Sequence, residues 1–327
     1  MAKLNTFEIS KLQKGDTGIV DLIIGKVELK ERKNNGGLFI DGYGSNTNIP
    51  QVRFKCWDEI TETMFNEVFK KIGAIRIKYR CDEFNGEKYL NVFQYEDITN
   101  EACDIDGLIP QSKISAENLK KYFHSVVSKM QTESYQAIIN ELLVDEFFEM
   151  GAALSCHHNR RGGLAEHTYQ VLSAAKSIIE RDRSEVYNII NTDLLYAGCI
   201  LHDIGKLKEL HANCFGIIDE YTTIGKTQGH INIGVTMINE CCDKLGIDKY
   251  SKEIMLLNHL MLSHHGKEEY GSPVKPKTYE AMLLNIYDNL SAKADAAKNV
   301  IDKTANGDWS SKVFALDNVQ LFNHISE

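Results

Sequence analysis

No stretch of this chain approaches the ~18 consecutive apolar residues of a membrane span. The N-terminus, MAKLNTFEISKLQKGD, is polar and lacks the apolar core of a secretory signal. The eight cysteines, at 56, 81, 103, 156, 199, 214, 241 and 242, include no C-x-x-C pair. That speaks against a disulfide framework and a thiol metal finger, and the thiols read as reduced, mostly buried small hydrophobes. The vicinal pair Cys241–Cys242 has no thiol or imidazole at metal-finger spacing. There is no basic excess either: 37 Lys and Arg stand against 46 Asp and Glu, a net charge of −9. Taken alone, this argues against a general nucleic-acid binder. No internal repeat and no low-complexity segment is visible. The expectation is a cytoplasmic globular protein with no membrane partner.

The acidity is uneven. Residues 1–100 carry 15 basic and 15 acidic side chains, whereas residues 101–327 carry 22 and 31. Bound divalent cations would offset part of that excess, so a phosphate substrate stays open. The 327 residues are about twice the ~150 of a typical domain. With 43% hydrophobic residues the chain can bury a sizeable core.

Two domains are expected, because the pattern changes along the chain. The first hundred residues read as strands: GIVDLIIGKVELK, GGLFI, QVRFKCW, GAIRIKYR and KYLNVFQY, each rich in β-branched or aromatic residues. Gly and Asn clusters separate them, at 34–37, from Gly42 to Asn48, and at the hairpin signal Asn85-Gly86. Between the third and fourth strands, Ile60, Met64, Phe65 and Phe69 are spaced for a helix. Five strands with a helix in that place follow the order of an OB-fold barrel. From about residue 115 the apolar period is near 3.6 and stays so, with Asp145 and Thr192 as expected N-caps. The predicted architecture is multidomain: an all-β OB-fold barrel over 1–98, a linker over 99–114 containing Pro110, and an all-α bundle over 115–327.

Nine of the eleven histidines fall between 157 and 265. Among them are His167, the doublet His202-Asp203, His230 and the doublet His264-His265, followed by Asp288. A lone histidine on a helix is usually a hydrogen-bonded core residue. The set is different, because imidazole plus carboxylate is a donor combination that divalent transition metals accept. One carboxylate flanked by several imidazoles can bridge two ions, and helical bundles converge such residues on one pocket.

The order H, HD, H, HH, D resembles the HD-domain superfamily of metal-dependent phosphohydrolases. The segments GGLAEHT (162–168), LHDIGK (201–206), YTTIGKTQGHINIG (221–234), LSHHGKEEYGSPVKP (262–276) and EAMLLNIYDNLSAKADA (280–296) look like the YhaM-type 3′–5′ exoribonucleases. Those proteins join an N-terminal OB-fold to a C-terminal HD domain. The glycine-rich loops of the strand-rich part depart from their more compact pattern.

The resemblance implies two divalent ions, manganese first, with cobalt, iron, nickel or zinc as substitutes; in a one-metal version of the family His230, His264 and His265 would contact substrate instead. His167, His202, Asp203 and Asp288 would hold one. Asp203, His230, His264 and His265 would hold the other. Asp203, His202 and Lys206 would be the catalytic residues, with Lys206 donating to a phosphate oxygen as charge builds. His157, His158, Arg160, Arg161 and Gly163 would contact substrate. Trp57 would do so from the barrel, among strand aromatics (Phe39, Phe54, Tyr79, Tyr89, Phe93, Tyr95) of which alternation lets only some face outward. The implied partner is single-stranded RNA or DNA. A homo-oligomer is left open, since no heptad or exposed stripe is visible. The competing reading is an HD phosphohydrolase of small nucleotides, which has little need for a polymer-binding barrel.

Overall fold

A computed structural model describes residues 12–32, 36–47, 49–57, 62, 65–66, 73–84, 87–99, 107–154, 158–181, 185–213 and 215–324. It divides into two compact units: Met1–Gln111 with Asn213–Asp219 and Ala297–Glu327, and Ser112–Ala212 with Glu220–Ala296.

The first unit contains a closed barrel of β1 (Thr17–Glu31), β2 (Leu38–Asn46), β3 (Ile49–Cys56), β4 (Ala74–Phe84) and β5 (Glu87–Asp97) in the order β1-β2-β3-β5-β4. β1 closes the barrel on β4, and β3 runs parallel to β5 with Phe54 opposite Leu90. This is an OB-like barrel. Of the helix expected over 58–71, only residues 62, 65 and 66 are described, and the Asn85-Gly86 turn lies outside the described residues.

Alternation sorts the aromatics. Phe54 and Tyr79 point into the core with Leu22, Ile40, Ile77 and Leu90, whereas Phe93 is exposed. The glycine cluster expected to be a loop at 42–48 is largely strand. A Cβ on Gly42 would lie 2.5 Å from the Phe54 ring, and one on Gly44 would lie 3.0 Å from Leu22. These glycines sit mid-strand because the facing side chains fill the barrel.

Charge is also buried in the barrel wall. Asp41 accepts two bonds from Arg53 (2.8 and 2.7 Å) and one from Lys30 (2.7 Å). Burial pushes the Asp41 carboxyl up, but Arg53 and Lys30 outweigh it and hold it down at about 2. A depressed carboxyl stabilises the fold above its unfolded value near ~3.9 and loses that contribution as pH falls through the folded value. Asp41→Asn is therefore expected to weaken the barrel by roughly 1–3 kcal/mol at neutral pH. In denaturation series the gap from the wild type should shrink as pH drops toward about 2.

The second unit is helical: α1 (Ala116–Val127), α2 (Glu133–Leu142), α3 (Gly163–Arg181), α4 (Thr192–Leu201), α5 (Lys206–Glu209), α6 (Thr223–Leu245) and α7 (Lys252–Ser263). The next helix, α8 (Tyr279–Ile301), begins in this unit. None is long and apolar enough to cross a membrane, among the described residues. Two expected caps shift. Asn191, not Thr192, caps α4, its side chain accepting from the Leu194 N–H at 3.1 Å. Asp145 opens only a one-turn 3-10 helix, Asp145–Phe148, after α2 has ended. The helical pattern is also interrupted by a short hairpin, β6 (Leu210–Ala212) and β7 (Ile218–Tyr221).

Candidate metal centre

The expected ligands are brought together in the helical unit, and each arrives by a local device. α3 begins at two glycines. Gly162 has a φ of +73°, and a Cβ on Gly163 would fall 1.9 Å from the His158 carbonyl oxygen. The first turn of α3 therefore packs tightly, and residues 163–168, His167 included, are buried. α4 ends at Leu201, so His202 and Asp203 lie in the turn that follows rather than on the helix. His264 and His265 follow the end of α7 in the same way. Asp288 lies on α8. His230 depends on a break in α6: Gly229 has φ 68° and ψ 154°, outside the helical region. That backbone is essentially reserved for glycine, and a side chain there would cost roughly 1–3 kcal/mol.

The ligand atoms form two groups that share one carboxylate. His167 Nε2 lies 3.1 Å from His202 Nε2, 3.1 Å from Asp288 Oδ1 and 3.4 Å from Asp203 Oδ2. His202 Nε2 is also 3.4 Å from Asp203 Oδ2. The other oxygen, Asp203 Oδ1, faces His230 Nε2 at 3.5 Å and His264 Nε2 at 3.9 Å. His230, His264 and His265 have ligand atoms within 4.8 Å of one another.

Every ring is oriented through its other nitrogen. His202 Nδ1 donates to the Cys199 carbonyl (2.9 Å), His264 Nδ1 to Met261 (2.7 Å) and His265 Nδ1 to Tyr270 (2.8 Å). A carbonyl only accepts, so these Nδ1 atoms carry the proton and each Nε2 presents a lone pair. The Ser291 hydroxyl donates to Gln170 Oε1 (2.7 Å), which leaves its oxygen to accept from His167 Nδ1 (2.9 Å).

These residues fit divalent metal. Asp203 Oδ1, His230 Nε2 and His264 Nε2 are buried with no hydrogen-bond partner, and all three belong to the second group. Leaving three such acceptors buried without a partner is costly, and a cation among them satisfies all three. The electrostatics agree. Burial and the neighbouring His265 and His202 push His264 well below its usual value, and burial with His230 lowers His265. Both rings stay neutral, the form that ligates. Burial pushes Asp203 up, but the Lys206 ammonium beside it wins and holds it well below the carboxylate range. Asp288 is also held low, where the His167 hydrogen bond outweighs burial. Lys206 Nζ lies 2.8 Å from Asp203 Oδ2; burial lowers its pKa, yet Asp203 raises it further, so the buried amine stays charged.

The residues expected around the substrate are placed less uniformly. The His158 ring is buried, with its centroid 5.3 Å from that of His167. Arg160 spends Nε on Glu166 (2.7 Å) and Nη2 on Asp295 (3.1 Å) and His158 Nδ1 (2.9 Å). Arg161 is half-buried, and its carbonyl accepts from Ser112 N–H at 2.8 Å. His157 lies outside the described residues. Trp57 belongs to the barrel unit, where it stacks on Phe39 with centroids 4.2 Å apart.

Sequence reading passed over Glu209, Gln170, Ser291, Glu166 and Asp295. Three of them carry a signal of a kind: Gln170, Ser291 and Glu209 each lie three residues after His167, Asp288 and Lys206, the spacing that puts two side chains on one helical face.

Residues 164–293 match the HD domain family. That match indicates a metal-dependent phosphohydrolase domain. Among solved structures, the chain is similar to the second OB-fold domain of replication protein A from Methanococcus maripaludis, at 14% identity over 29% of this chain and 96% of that one, with a TM-score of 0.23. It is also similar to the mitochondrial single-stranded DNA binding protein Rim1 of S. cerevisiae, at 10% identity over 27% and 99%, with a TM-score of 0.21. A third, the OB domain of Ta0387 from Thermoplasma acidophilum, is 19% identical over 24% and 69%, with a TM-score of 0.18.

Proposed function

We propose that this protein is a metal-dependent 3′–5′ exoribonuclease that releases 5′-mononucleotides from single strands, with grip by the barrel of 1–98 and chemistry in 115–327. The observation that carries the chemistry is the split carboxylate: Asp203 turns one oxygen to each of two ligand groups. A divalent pair held there, manganese by preference, would supply hydroxide at neutral pH and positive charge for the phosphate oxygens. The chain's own residues do the rest. The seven ligands His167, His202, Asp203, His230, His264, His265 and Asp288 hold the pair. Lys206 brings a buried, charged amine to the same carboxylate, and it would donate to a non-bridging oxygen as charge builds. His158, Arg161 and Gly163, close to His167 in sequence, are proposed to contact the substrate. Arg160 reaches phosphate only through Nη1, since its other nitrogens are engaged.

The grip is proposed for one face of the barrel. Lys55 Nζ sits 4.4 Å from the Tyr89 ring centroid and 5.7 Å from that of Trp57, which Phe39 backs and Arg32 overlies at 5.5 Å. Stacked rings interleaved with cations are what a single strand needs for its bases and backbone. Arg53 and Arg76 serve elsewhere, each bidentate to Asp41 and Asp21 respectively.

The test is a time course on 5′-labelled single-stranded RNA, the matching DNA and a panel of free nucleotides in Mn²⁺, with a small chromogenic phosphodiester alongside. A ladder shortening from the 3′ end is expected, with RNA and DNA ranked by rate. In Trp57→Ala, polymer cleavage should fall roughly 10–100-fold, as the loss of ~1–3 kcal/mol of stacking implies, with the chromogenic diester unaffected. Intact polymers beside hydrolysed free nucleotides would overturn the reading in favour of a small-nucleotide phosphohydrolase.

A further inference from the structure

His230 is held unlike the other ligands. Their Nδ1 atoms rest on carbonyls or a hydroxyl, whereas His230 Nδ1 lies 3.1 Å from both oxygens of Glu209. Glu209 Oε1 also accepts the backbone N–H of His230 at 2.9 Å. That N–H follows the Gly229 break in α6. One buried carboxylate thus fixes both the backbone and the ring of a single ligand.

Glu209 is itself pinned. Its N–H donates to the Gly205 carbonyl at 3.0 Å, and its carbonyl accepts the Thr222 N–H at 2.9 Å. Thr222 caps α6, its hydroxyl accepting from Gly225 N–H at 3.0 Å. Gly225 lies so close that a Cβ there would fall 2.2 Å from the Glu209 carbonyl oxygen. The carboxylate is therefore anchored to the HD turn at one end and to the start of α6 at the other. Across the ring, the unpartnered Nε2 faces the unpartnered Asp203 Oδ1 at 3.5 Å. Two buried lone pairs directed at each other at this distance repel unless a cation lies near both.

We infer that Glu209 is the positioning residue of the second metal position, which it creates by aiming His230 at Asp203 Oδ1. A carboxylate behind a ligating imidazole raises its basicity and fixes its tautomer. In this chain that applies to His230 alone among the ligand histidines whose Nδ1 partners are described. Glu209 never touches substrate. It acts on whether the site holds one ion or two. This rests on the two-metal reading above.

The test counts Mn²⁺ bound to the full chain by equilibrium dialysis, with electron paramagnetic resonance to separate a coupled pair from a single ion. The wild type is expected to bind two. Glu209→Ala should keep one ion at wild-type affinity and bind the other 10–100-fold more weakly, converting the coupled spectrum to that of an isolated ion. Glu209→Gln keeps the shape but turns an amide donor toward His230, and should weaken the second ion about tenfold. Asp288→Asn, which touches the other group, should leave the His230 ion in place. Two ions at wild-type affinity in the folded Ala variant, or in the Gln variant if the Ala variant does not fold, would overturn the inference and leave the two-metal reading standing. A single ion in the wild type would overturn both.

Discussion

Asp203→Asn is expected to empty both proposed metal positions in one step. Asp203 has an oxygen in each ligand group, at 3.4 Å from His167 and 3.5 Å from His230, whereas Asp288 contacts only the first group. Hydrolysis should fall about a thousandfold or more, since ~4 kcal/mol of transition-state stabilisation corresponds to three decades. Asp288→Asn should remove one ion and spare the other. Metal content by elemental analysis, measured beside turnover, separates the two patterns. Asp203→Ala has a second consequence. Lys206 is buried against this carboxylate, and an ammonium deprived of its partner there costs about 3–5 kcal/mol. Asn keeps a polar neighbour for Lys206, so it is the variant that reads metal binding with least damage to the fold. Equal metal content in Asp203→Asn and wild type would refute a role for Asp203 in both ligand groups.

Gly205→Ala is expected to be nearly as damaging, although Gly205 binds nothing. A Cβ at this position would lie 2.0 Å from the His230 carbonyl oxygen and 2.7 Å from the Gly234 nitrogen. Both are backbone atoms of α6 and cannot rotate away. Gly205 is what lets the HD turn and α6 approach closely enough for Asp203 Oδ1 to face His230. Overpacking of this kind costs typically ~1–3 kcal/mol, with more when backbone must move. We expect a lowered melting temperature and selective loss of the ion held by His230, His264 and His265, with the His167 group retained. A variant with wild-type melting and full metal content would show that α6 tolerates the displacement.

Gly205 also illustrates what could be read in advance. Its presence after His202-Asp203 is visible in the sequence, and a glycine there suggests a helix end. The helix in fact stops earlier, at Leu201. The glycine serves a contact with residues 25 and 29 positions further along. Gly42 and Gly44 make the same point in the barrel. As letters they look like loop, yet they are strand because Phe54 and Leu22 occupy the space in front of them. The arginines of the barrel tell a similar story. Arg53 and Arg76 have the alternation of a phosphate grip, but Asp41 and Asp21 claim both.

The amino-acid order by itself determined the split into a strand-rich and a helix-rich part, because the periods of strands and helices are local and written every few residues. It also pointed to the side chains that could ligate metal, because nine of the eleven histidines cluster between 157 and 265 and their order with Asp203 and Asp288 resembles the HD family. The resemblance implied how they divide; the tertiary structure alone decided which oxygen of Asp203 faces which imidazoles, and which buried atoms lack a hydrogen-bond partner among the described residues. It alone brought Ser291 to His167, 124 positions away, and Glu209 to His230, 21 positions away and across a helix break at Gly229. Hydrogen bonds act over about 3 Å in space and carry no signature along the chain. Their partners become known only when the helices are packed.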